Sequence, residues 1–225
     1  MLKWFARKVS SIAVCAFALS LPSFASAQIF PTVSSYVEHL SGKHQILETK
    51  TATVNTSAGK RIFGIACWKL NAVNSEQGDT VQASVFVLEN IGAGIQELSH
   101  SHPFNFNAII RRPLELAIET SSKDRFSVTV VLQSSGIGSI EHRFVERQNT
   151  WYLAGLESSR TSQYLEKDDE TIGDTRIVQS TNFLTGRTIT KTFSANKLAS
   201  IERTTKTFPK LPLERFEIFD PRHDQ

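Results

Sequence analysis

Apolar and polar positions change rhythm once along this chain, near residue 42. Before it, Val33, Tyr36, Val37 and Leu40 recur at the i, i+3, i+4, i+7 spacing of one helical face. That spacing predicts a short helix over Pro31–Leu40, which Gly42 is placed to end. After it, period-two alternation and short apolar runs take over. Arg61–Leu70 reads as a buried strand, and Thr80–Leu88 turns apolar on both faces as a central strand does. Leu114–Glu119 alternates. Phe126, Val128, Val130 and Leu132 make the clearest one-sided strand in the chain. Ile140–Val145, Trp151–Leu156, Arg176–Gln179 and Thr188–Phe193 follow, the last two flanking Leu184-Thr185-Gly186.

Turn residues punctuate these runs: Gly92 with Gly94, Pro103 with Asn105 and Asn107, Gly136 with Gly138, and Asn149-Thr150. The polar stretch Leu165–Gly173 predicts a solvated loop. Strands joined by Gly and Asn turns, with no alternation of strand and helix, predict an all-β fold of antiparallel sheets, sandwich or propeller-like, with one short N-terminal helix. No low-complexity linker divides residues 28–225, so a single domain is expected there.

Residues 1–27 carry the pattern of a secretory signal peptide. Lys3, Arg7 and Lys8 precede an apolar stretch from Val9 to Leu21, Pro22 breaks it, and Ala25-Ser26-Ala27 supplies small residues for cleavage before Gln28. The stretch is shorter than the roughly 20 residues of a spanning helix, and Val14 before Cys15 does not suit lipid attachment. A bacterial periplasmic or secreted protein without a membrane anchor is the expectation. Removing this segment cancels the formal charge of +3, since it holds three basic side chains and no acid. With Arg111-Arg112 the densest basic run, nucleic acid and anionic membrane surfaces are not expected partners. An outer-membrane barrel is not expected either, because the strands lack a continuous lipid-facing apolar face.

Cys67-Trp68-Lys69-Leu70, then Gln77-Gly78-Asp79-Thr80 leading into Val85–Asn90, and later Ser135–Ser139, Phe144, Trp151-Tyr152-Leu153, Asn182–Arg187 and Leu213–Phe216 form a set of short stretches. Together they resemble a family of uncharacterised bacterial exported β-rich proteins whose first turn is like that of integrin-type FG-GAP repeats. The resemblance implies an exported β fold and brings no activity. Members often carry several aspartates and asparagines in the first turn, spaced to present oxygens to calcium. Here Asn74–Asp79 offers only Glu76 and Asp79 as acids, too few for the roughly six oxygen ligands of a calcium loop, so no cofactor is carried over.

Candidate chemistry is sparse. His100 and His102 would share a face if they lay on a strand, and Glu97 or His142 could add a third metal ligand. His142, between Ile140 and Phe144, reads as a core histidine with a hydrogen-bond partner. Cys67, in an apolar run, reads as core packing rather than as a nucleophile. Trp151 and Tyr152 would point to opposite faces of a strand and form a candidate binding platform. Gly136-Ile137-Gly138-Ser139 fits no nucleophile elbow, and neither Gly-x-Gly segment opens a helix as a dinucleotide loop does. No catalytic residue is assigned. The sequence thus favours a non-enzymatic, inhibitor- or immunity-like domain that binds an envelope protein; the alternative is a metal-dependent envelope hydrolase built on His100 and His102.

Overall fold

A computed structural model describes residues 28–70, 80–105, 113–134, 136–165 and 172–217. It shows an all-β sandwich of two antiparallel sheets with a single helix laid on one of them. The first sheet holds β1 (Ile29–Phe30), β2 (Gln45–Asn55), β3 (Lys60–Leu70), β4 (Thr80–Asn90), β5 (Ile95–His100) and β6 (Phe104–Asn105), in the order β1-β5-β4-β3-β2 with β6 beside β4. The second is a seven-stranded meander: β7 (Pro113–Ser122), β8 (Arg125–Ser134), β9 (Gly136–Arg147), β10 (Thr150–Leu165), β11 (Ile172–Asn182), β12 (Arg187–Ser194) and β13 (Lys197–Thr205). Neither sheet closes into a barrel, and no described helix is long and apolar enough to cross a membrane.

Why β3 and β4 read as unbroken apolar runs is now plain: both faces are covered. Phe63, Ile65 and Cys67 of β3, with Ala83, Val85 and Val87 of β4, face the second sheet and meet Phe126, Val128, Val130, Phe144, Trp151 and Leu156. Ile62, Ala66 and Trp68, with Phe86 and Leu88, face the other way onto α1 (Val33–Leu40), whose Tyr36 and Val37 are fully buried there. The helix begins with a capping box in which Thr32 and Ser35 satisfy each other's backbone amides. It stops at Ser41, and the next residue, Gly42, takes the left-handed φ of +62° that glycine tolerates.

The seven-stranded sheet is wider than its cover. Among the described residues the apolar core takes none from β11, β12 or β13; β11 buries Thr181, and no residue of β12 or β13 is buried. These three strands form a wing beyond the sandwich, ending on β13, whose outer edge pairs with no described strand. Both its β12–β13 turn (Ala195-Asn196) and the β9–β10 turn (Gln148-Asn149) carry two consecutive positive φ values, the two-residue geometry whose twist matches the flanking strands.

From the wing the chain returns as a strap over residues 206–217. The Lys206 amide donates to the Gly186 carbonyl, the Leu153 amide donates to the Leu211 carbonyl, and Pro212 bridges to Tyr152. A 3-10 turn, Leu213–Arg215, then reaches the first sheet, where Ser99 Oγ donates to Glu214 Oε1 at 2.7 Å and the His102 amide donates to the Glu214 carbonyl. Leu213 and Phe216 are fully buried between the sheets.

One turn expectation is corrected. Gly136 and Gly138 lie inside β9, paired with Ser134 and Leu132 of β8. Gly138 answers a close approach instead: a Cβ there would stand 3.0 Å from the Ser159 carbonyl oxygen of β10. Residues 71–79 and 166–171, which include the FG-GAP-like turn and most of the acidic loop, lie outside the described residues.

Candidate functional site

His100 closes β5 and faces α1. Its Nδ1 lies 2.7 Å from Glu97 Oε1, with both side chains about one-third exposed at 35%. The hydrogen bond between them is the main reason that the His100 pKa is raised and that of Glu97 lowered. Above them Tyr36 is buried, and burial first, then the Glu97 charge, push its phenol pKa up. His102, one residue past the buried Ser101, is exposed. Glu97 and His100 are therefore brought together, while His102 is turned to solvent. Among the described residues no three His, Cys, Asp or Glu side chains converge as metal ligands.

His142 sits on the far sheet, on the inner face of β9, with its ring 5.0 Å from that of Phe216. It is fully buried, as expected of a core histidine, but neither ring nitrogen has a hydrogen-bond partner. Burial alone pushes its pKa down to about 3, which keeps the imidazole neutral. Cys67 is buried in the core, and burial foremost, with the Glu48 charge adding, pushes its thiol up to about 12. A thiol so placed is a poor nucleophile.

Trp151 and Tyr152 do point to opposite faces. Trp151 is a core residue, 1% exposed, edge-on to Phe63 and Phe126. Tyr152 is half-buried on the outer face of the seven-stranded sheet, with Lys210 Nζ 6.0 Å above its ring. Any binding platform here has Tyr152 alone to offer.

The same outer face carries a groove of about 580 Å³ across β7–β11, lined by Arg125, Ser127, Glu141, Arg143, Gly155 and Asn182 among others. A bulge at Ala154 and the bare backbone of Gly155 shape its floor. A Cβ on Gly155 would lie 3.2 Å from Arg143 Nε, so glycine is what lets the guanidinium lie against the sheet. There Arg143 Nη2 donates to Ser180 Oγ at 3.2 Å and lies 3.9 Å from Glu157. The groove opens sideways onto the outer face of the wing, because Asn182 pairs with Arg187 and Ser180 with Ile189.

The predicted strands Arg176–Gln179 and Thr188–Phe193 fall inside β11 and β12, whereas neither β13 nor the groove was signalled. Arg143 lies inside the predicted strand Ile140–Val145, where nothing in the sequence marks it as facing a groove, and β13 lacks the apolar alternation that marks a half-buried strand. No family model, no curated protein and no solved structure matches the chain.

Proposed function

We propose that this chain is an exported bacterial protein that works by binding another protein, as an inhibitor- or immunity-like module rather than as an enzyme, and that the partner adds a strand to β13. The observation that carries the reading is the wing: all nine residues of β13 are exposed, and no described strand pairs with its outer edge. A row of free backbone N–H and C=O groups is a template for another strand, and native proteins use such edges for recognition or shield them. This edge has no proline and no covering element among the described residues.

The test is capture of a partner from the periplasm of the source bacterium by the tagged mature chain, compared with Ser200→Pro and Ile201→Pro. Amides along a strand point alternately to either side. One of the two prolines therefore removes only an outward N–H and leaves the β12 ladder intact, and a thermal melt identifies which. A partner held by the wild type and lost with the folded proline variant is the expected result. A partner held equally by both, or none at all, overturns the reading.

A further inference from the structure

The neutral balance of the mature chain conceals a segregation of charge that only the fold makes visible. Residues 172–212, the wing and the strap leaving it, contain seven basic side chains (Arg176, Arg187, Lys191, Lys197, Arg203, Lys206 and Lys210) against Asp174 and Glu202. All seven are exposed, and no described carboxylate lies within ion-pair distance of any of them. The register divides them by face. Arg176, Arg187, Lys191 and Arg203 stand with Ile189, Phe193 and Ile201 on the outer face, because Lys191 pairs with Ile201, Ile189 with Arg203, and Arg176 with Phe193. Glu202 pairs with Thr190 and so stands on the inner face, between Ser200 and Thr204.

Resting on the strand-addition reading above, we propose that the partner segment is acidic and periodic: an extended stretch with carboxylates at every second position and neutral β-forming residues between. A strand laid beside β13 places alternate side chains on the outer face, next to Arg203 and within about a Debye length of Arg187 and Lys191. The intervening side chains fall on the inner face beside Glu202, where a carboxylate would be repelled and a threonine or valine is suited. Each successive outer-face pair of the β12–β13 ladder holds one exposed cation, taken alternately from the two strands (Arg187 opposite Thr205, Arg203 opposite Ile189, Lys191 opposite Ile201), which matches that pattern in both charge and period. An even spread of charge on the partner would satisfy only the first.

The experiment uses the mature chain and a fluorescein-labelled peptide of alternating Glu and Thr, as long as the nine residues of β13, read by anisotropy. Its control has the same composition with Glu and Thr in blocks of two, so that its carboxylates fall on both faces. The alternating peptide is expected to bind about tenfold more tightly than the control. It should weaken about tenfold in the Lys191→Glu, Arg203→Glu variant and again when salt rises from about 0.05 to about 0.5 M. Equal binding of the two peptides, or no binding of either, overturns the proposal. So does tighter binding of phosphatidylglycerol vesicles or of an oligonucleotide. The outcome is separable from that of the broader reading: a periplasmic partner lost with the folded proline variant but retained by the charge-reversed chain sinks the acidic-segment proposal and leaves strand addition standing.

Discussion

Gly64 in the middle of β3 lies directly opposite Phe86 of β4, and a Cβ built on Gly64 overlaps the Phe86 ring. Two effects of Gly64→Ala oppose each other. The glycine has no left-handed φ, so alanine fits the backbone and restricts the unfolded chain, which is worth about 0.4–1 kcal/mol in its favour. Against this, the ring has nowhere to go: Phe86 is fully buried, and Tyr36 closes over it at 5.3 Å. Overpacking costs about 1–3 kcal/mol, and complete expulsion of a phenylalanine would cost about 3–5 kcal/mol. The steric cost wins, and a net loss of about 2–3 kcal/mol is expected. Urea unfolding followed by tryptophan fluorescence measures it, since Trp68 and Trp151 are both buried. At about 2–4 °C per kcal/mol for a chain of this size, the melting temperature should fall by about 5–10 °C. In a Phe86→Leu background the same glycine change should cost at least about 1 kcal/mol less, because the clashing ring is gone. A loss below about 0.5 kcal/mol, or the same loss in both backgrounds, would refute the steric account.

Three further outcomes follow from the buried and paired groups. His142 is neutral when folded, with its pKa pushed down to about 3, so the unfolded chain binds the extra proton. Stability is therefore lost as pH falls from about 6.5 towards 3, by up to a few kcal/mol, and His142→Leu should flatten that part of the profile in urea titrations. His100 has a raised pKa and Glu97 a lowered one, so the pair stabilises while both are charged and its contribution fades as pH rises through the His100 pKa. An NMR titration should place the His100 ring above 6.5 and return it towards that value in Glu97→Gln; an unshifted ring in the wild type refutes the pairing. Cys67 should resist a thiol-reactive dye in the native chain and react fully in denaturant; rapid native labelling would contradict its burial.

The sandwich was legible where burial is one-sided or complete. Phe126–Leu132 announces itself by alternation, and Arg61–Leu70 by an unbroken apolar run, because in each the core dictates the side chains. The helix was legible from four apolar residues and a following glycine, although its Thr32–Ser35 cap was not singled out. What the sequence did not disclose depends on long-range placement. Glu97 and His100 are close in sequence, but Tyr36 reaches them only because α1 folds back over β5. The wing is harder still: β13 is exposed on both faces, so no core imposes a period on it. Its cations are spread thinly along the chain, and only the pairing of three strands gathers them on one surface.

The strap makes the interior depend on residues far from it along the chain. Leu213 and Phe216 fill the space between the two sheets, and Phe216 is the edge-on neighbour of Phe104, Phe144 and His142. A cut before Leu213 is therefore not the trimming of a surface tail: it takes a ring out of the middle of an aromatic cluster and, with Glu214, the acceptor of the Ser99 hydroxyl.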